Sequence, residues 1–238
     1  MRTKIITHCY ASQLPFFATC LKFQLQSISV TGVDNDVEVN VCFNRDDIDT
    51  VKVLRWYETN KVRRHKLVTF EFPVEELGRR SIGRNKAALW SKADIVWFTD
   101  VDYCFCDGIF NKLESFQWPE GASMVFPGTI MIHKNHAMGD ELLKIHKNND
   151  IVPLIVPDDF TESVLNRAIG GVQIVQGDFA YEHGYLKDEE KWQRPTVKPF
   201  GDFRDDIAYR KFCLKYGTIE KVELPGIYRI RHTETTYQ

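Results

Sequence analysis

A single mixed α/β domain is the fold class this sequence predicts, and three observations predict it. Strand-like and helix-like hydrophobic patterns alternate from the amino terminus through residue 102, as they do where helices cover both faces of a sheet. Within that stretch Ile95, Val96, Trp97 and Phe98 form a continuous apolar run, the mark of a strand buried on both faces, and the chain turns polar directly after it. The 238 residues are 43% hydrophobic and 13% aromatic, enough to bury one sizeable core.

Around that strand each element has its own signal. Residues 83–93 read as an amphipathic helix, with Ala87, Ala88, Leu89 and Ala93 able to face a sheet. The helix leads into the apolar strand, beyond which Asp100 and Asp102 stand one residue apart, where ligands gather in open α/β sheets. Hard oxygen ligands there suit Mg²⁺ or Mn²⁺, which take one or two protein carboxylates and complete their shell with phosphate and water. After Asp107-Gly108 the pattern changes. Residues 118–121 read as a turn, 124–133 as a strand and 137–148 as an amphipathic helix. Gly170 and Gly171 then precede a strand pattern that includes Gln173, either as a tight turn or as backbone approaching a ligand. The aromatics that follow, Tyr181, Tyr185 and Trp192, suit stacking on an acceptor or packing of a long connection equally well.

The run from Arg84-Asn85 through small residues to Ala93-Asp94, four apolar positions and Thr99-Asp100-Val101-Asp102 resembles the nucleotide-sugar-binding half of GT-A glycosyltransferases, family 2 in particular. That resemblance implies one GT-A domain: a nucleotide-sugar half over about residues 1–107 and an acceptor and catalytic-base half over about 108–238, around one mixed sheet. It makes residues 4–10 the first strand, 14–28 the first helix and 37–43 the second strand. Thr7 becomes a nucleotide contact, and Asn44 with Asp46 the segment that reads the base, although Asn44 stands where the family carries Asp. The resemblance also implies donor contacts from Arg84 and Asp100, and donor-sugar or acceptor contacts from Gly170, Gly171, Gln173 and Trp192. Near the far end, residues 205–217 are similar to the family's acidic pair, amphipathic helix and closing glycine. Asp206, with Asp205 as the alternative, is thereby the catalytic base, and His232 a third metal ligand beside Asp100 and Asp102. The acids also suit a plain helix cap.

Composition bounds the alternatives. A net charge of −2 excludes nucleic-acid binding by overall basicity. The basic run 61–66, with Arg79 and Arg80, reads as a solvated helix end or as a phosphate or acidic-acceptor patch. Six cysteines lie mostly within apolar segments and predict reduced core thiols, and the Cys104-x-Cys106 spacing is too tight for a zinc knuckle. His133, His136 and His146 read as surface residues rather than a metal cluster. No membrane span or signal-peptide core is visible, which leads to the expectation of a soluble, cytoplasmic protein.

The chemistry expected from the resemblance is inverting transfer of a sugar from a nucleoside-diphosphate sugar, with a UDP-sugar favoured. The ion, Mn²⁺ or Mg²⁺, would stabilise the departing diphosphate while Asp206 deprotonates the acceptor hydroxyl. A glycan, a lipid-linked sugar, a protein, a small molecule or a modified nucleic acid are all open as acceptor. Two other classes remain: a haloacid-dehalogenase-type phosphatase with Asp100 as nucleophile, and a non-catalytic sugar-nucleotide or carbohydrate-binding module. A phosphatase of that type would carry Thr or Val where this chain has Cys104, and a pyrophosphorylase would open with glycines that residues 7–14 lack.

Overall fold

A computed structural model describes residues 1–32, 34–62, 64–106, 108–149, 152–153, 155, 157–195 and 204–233. Its strands are β1 (Arg2–His8), β2 (Asp36–Phe43), β3 (His65–Glu71), β4 (Ile95–Phe98), β5 (Tyr103–Phe105), β6 (Ala122–Pro127), β7 (Thr129–His133), β8 (Phe160–Val164), β9 (Gln173–Gln176), β10 (Thr218–Val222) and β11 (Ile227–Arg229). Its helices are α1 (Phe16–Thr31), α2 (Ile48–Asn60), α3 (Val74–Leu77), α4 (Arg80–Trp90), α5 (Ile109–Glu114), α6 (His136–His146), α7 (Gly177–His183), α8 (Glu190–Gln193) and α9 (Asp205–Cys213).

Seven strands form the main sheet in the order β10-β6-β9-β4-β1-β2-β3, and a smaller sheet runs β5-β11-β7-β8. β3, β2, β1 and β4 are mutually parallel, whereas β9 runs antiparallel to β4 and to β6. Two consequences place the site. β1 is flanked by β2 on one side and β4 on the other, so their carboxyl ends open a crevice where the connections diverge. Because β9 is reversed, its amino-terminal residue Gln173 pairs with Phe98 at the end of β4, which carries the Gly170-Gly171 turn to the same edge.

Local chemistry accounts for the element boundaries. Asp47 starts α2 by accepting the Thr50 N–H, and Asn135 starts α6 by accepting that of Met138. α4 buries Ser81, Gly83, Arg84, Ala87 and Ala88, a stripe at helical spacing that faces β1 and β2. At its other end the buried Lys4 of β1 donates to the carbonyls of Ala87 and Ser91, placing a cation at the negative end of the helix.

Several sequence expectations are corrected here. α4 begins at Arg80, three residues before the expected start, and Ala93 lies beyond its end. The strand expected over 124–133 is two strands in different sheets: the chain corners at Gly128, whose N–H bonds to the Val222 carbonyl in β10, and apolar residues on both sides of the corner hide it. The basic run is no single solvated patch, since His65 is buried against the Gly32 carbonyl and the Arg80 side chain, 11% exposed, is paired with Asp100 at the site. His133 is a core residue stacked on Phe160 with centroids 4.0 Å apart, and burial depresses its pKa to about 4. Five of the six cysteines are buried and Cys106 is partly exposed. Among the described residues no helix is long and apolar enough to cross a membrane.

Candidate active site

The turn after β4 is held from below. Gln24 of α1 donates its side-chain amide to the carbonyls of Asp100 and Tyr103, at 2.9 and 3.0 Å, which fixes the backbone between the two acids. Asp100 receives Arg80 and Arg84 on the same oxygen, Oδ1, each at 2.9 Å. Its Oδ2 faces Gly170, where an added Cβ would lie 3.5 Å away. Asp102 is paired through Oδ2 with Arg229 Nε at 2.8 Å, and its carbonyl accepts the Ile230 N–H. Both acids open on a pocket of about 20 Å³ that His8, Tyr10, Arg80 and Arg229 also line.

A second acid pair stands across Gly170. Asp205, the first residue of α9, is buried and accepts Arg80 Nη2 on Oδ1 at 3.1 Å, so one guanidinium joins Asp100 to Asp205. Asp206 is half-buried, and a Cβ on Gly170 would be 3.6 Å from its own Cβ. A hydrogen-bonded chain supports it: Arg84 donates to Tyr185 Oη, which donates to Gln173 Oε1, and Gln173 Nε2 donates to the Asp206 carbonyl.

The surroundings tune these like side chains apart. Burial pushes the Asp100 carboxyl up, but the adjacent Arg80 and Arg84 outweigh it and hold Asp100 below the usual range. Asp206 goes the other way: burial raises it, Asp205 adds to the rise, and Arg80 only partly opposes it. His8, fully buried with neither ring nitrogen hydrogen-bonded to a described residue, is held neutral by burial and by Arg84 and Arg80.

The remaining predicted residues fall in different places. Thr7 is fully buried, and the residue that lines the pocket is its neighbour His8. Asn44 shapes its own turn, donating to the Phe72 carbonyl and accepting the N–H of the exposed Asp46. Gly171 packs under Tyr103, whose ring a Cβ would meet at 2.1 Å. Gln173, Arg84 and Trp192 are buried, and Tyr185 and Trp192 pack the long connection against the core. His232 sets its ring edge-on to Phe16 and Phe17, near enough to Asp102 for that carboxylate to oppose the downward shift that burial imposes. Among the described residues no three His, Cys, Asp or Glu side chains gather as an ion site, so Asp100, Asp102 and His232 do not converge as a trio.

The pair Asp100 and Asp102 nonetheless offers a donor set that suits a divalent ion. Oδ2 of Asp100 and Oδ1 of Asp102 accept no hydrogen bond from the described residues, and they are hard donors beside one pocket. Four carboxylates here face three guanidinium groups, so the cluster itself offers no surplus positive charge to a diphosphate. Arg229 and His8 were not among the residues singled out from sequence, and Arg80 and Tyr185 were singled out only as part of a basic run and of an aromatic connection, not as partners of these acids. The signal for Arg80 was its i,i+4 spacing from Arg84 on one helix face; Arg229 had none, because its partner is 127 residues away.

No protein-family model matches the chain, and no curated protein matches it. Solved structures do. The fold is similar to that of 4-diphosphocytidyl-2C-methyl-D-erythritol synthase from Anaerococcus prevotii, at TM-score 0.50 and 14% identity over 99% of this chain and 93% of that one. Mouse xyloside xylosyltransferase 1 matches at TM-score 0.46 and 10% identity over the whole of both chains. A galactosyltransferase, LgtC, solved with donor and acceptor sugar analogues, matches at TM-score 0.45 and 11% identity over 88% of this chain and 70% of that one. The chain has a mixed α/β fold of the GT-A type.

Proposed function

We propose that this chain is a metal-dependent, inverting glycosyltransferase that uses a nucleoside-diphosphate sugar. The observation that carries the reading is the pairing, across Gly170, of a carboxylate kept ionised at the end of β4 with a carboxylate lifted above its usual pKa at the start of α9. One environment suits holding charge and the other suits accepting a proton. Asp100 and Asp102 would hold Mn²⁺ or Mg²⁺, which when bound neutralises the diphosphate and favours its departure. Arg80 and Arg84 keep Asp100 deprotonated for that task. Asp206 takes the proton of the acceptor hydroxyl as that oxygen attacks the anomeric carbon, while the bond to the diphosphate breaks with its electron pair on the leaving oxygen. With the base and the leaving group on opposite sides of the sugar, the configuration inverts.

The test is turnover of a panel of nucleoside-diphosphate sugars in Mn²⁺, for the wild type and for Asp206→Asn. Asp206→Asn should keep its affinity for the nucleoside diphosphate and lose about 10²-fold or more in turnover. A protein that instead hydrolyses simple phosphate esters and loses that activity with Asp100→Asn is a phosphatase. One that binds donors without turning any over is a binding module.

A further inference from the structure

We infer that Arg80 is a positioning residue that sets the candidate base, by clamping the amino terminus of α9 to the carboxylate at the end of β4. The inference rests on the assignment of Asp206 as the base. Arg80 joins three segments that are remote in sequence: it sits at the start of α4 and reaches Asp100 through Nη1 at 2.9 Å and Asp205 through Nη2 at 3.1 Å. Its side chain is 11% exposed and that of Asp205 2%, so both bonds are formed largely out of water.

The clamp passes from Asp205 to Asp206. Oδ1 of Asp205 accepts the Asp206 backbone N–H at 3.1 Å as well as Arg80, and the Asp206 carbonyl accepts Gln173 Nε2 at 3.0 Å. With both backbone groups of Asp206 engaged, its carboxylate moves only by rotation about its own side-chain bonds. Arg84, one turn further along α4, shares Asp100 but turns its other nitrogen to Tyr185, and none of its hydrogen bonds reaches a side chain of α9. Holding Asp100 is therefore shared by two arginines, whereas the link to α9 depends on the fork of one. Lysine, a single point charge, reproduces either bond but not both in this geometry.

The experiment compares Arg80→Lys, Arg80→Met and Arg80→Met/Asp205→Asn with the wild type and with Asp206→Asn. The double variant removes both buried charges together, so it stays folded if Arg80→Met alone does not. Three quantities are read: nucleoside-diphosphate affinity in Mn²⁺ by calorimetry, kcat on a donor that the wild type turns over, and the acid limb of kcat against pH. Affinity should be retained in Arg80→Lys, because Arg84 still holds Asp100, while kcat falls about 10-fold or more as the base loses its placement. In Arg80→Met, or in the double variant if that is the one that folds, kcat should fall likewise. Among the described residues the titratable and charged side chains acting on Asp206 are Arg80, Arg84, Asp205 and Tyr185, whose phenol burial keeps protonated, so loss of the Arg80 cation alone should move the acid limb of Arg80→Met upward. Wild-type kcat in Arg80→Lys and in the double variant overturns the inference, as does a loss of affinity equal to the loss of kcat. Failure of the underlying reading is separate: it shows as a fully active Asp206→Asn protein, or as a wild type that turns over no donor.

Discussion

Arg80 and Arg84 both donate to one oxygen of Asp100, and this bias separates its titration from that of Asp206 a few ångströms away across Gly170. A carboxylate whose folded pKa is depressed contributes stability at pH values above its unfolded pKa of about 3.9 and loses it as pH falls through the folded value. Asp206 is raised instead, so it protonates first as pH falls. Donor affinity should therefore survive to a lower pH than turnover. Between the two transitions the protein binds a nucleoside diphosphate and transfers nothing. Calorimetry and initial rates over the same acidic series check this, and a joint loss of affinity and rate at one pH would contradict the assignment of roles.

At the scale of elements, α4 is the part on which the site turns, because one helix supplies both arginines and packs its Gly83 against β1 and β2. A Cβ at Gly83 would lie 2.3 Å from His8 Nε2 and 2.8 Å from Cys42 Sγ. Gly83→Ala should lift the helix and displace Arg80 and Arg84, at a cost of about 1–3 kcal/mol in denaturant unfolding and with a larger proportional loss of turnover. Native activity in that variant would show that the helix need not sit where it does. The other end of α4 is tied down by Lys4, which also lies 3.9 Å from the buried Glu38. Lys4→Met leaves the Glu38 carboxylate with the Asn40 and Ser91 hydrogen bonds but, among the described residues, only the 60% exposed Lys66 as an ion-pair partner, and should cost about 3 kcal/mol. An unchanged melting midpoint would place the Glu38 charge in better company than this structure provides.

For the whole molecule, ligand linkage offers a test that needs no acceptor. If Asp100 and Asp102 hold the ion that binds a diphosphate, a nucleoside diphosphate with Mn²⁺ at about 100 times its dissociation constant should add about 2.7 kcal/mol, raising the melting temperature by about 5–10 °C. Chelation should remove the rise, and Asp102→Ala should not show it. An equal rise in chelator, or in Asp102→Ala, would detach the diphosphate from these acids. His232→Ala measured alongside asks whether the tail contributes: a native shift returns His232 to its packing role between Phe16 and Phe17.

The sequence by itself determined the α/β class, the buried strand Ile95–Phe98 with its two acids, and the amphipathic helix behind the second acidic pair, which the structure starts two residues earlier than expected, at Asp205. These are local patterns, written in hydrophobic period, in an abrupt change of polarity and in an acidic pair ahead of an amphipathic run. The tertiary structure alone decided that β9 runs against its neighbours and delivers Gly170 to Asp100, that residues 124–133 corner at Gly128 into two sheets, and that Arg229 pairs with Asp102. It also moved Arg80 from an expected solvated helix end to a bridge between Asp100 and Asp205. Pairing across 125 residues leaves no trace in a single sequence, because a guanidinium is equally at home in water or between two carboxylates, and only the packing of α4 against β1 removes the water.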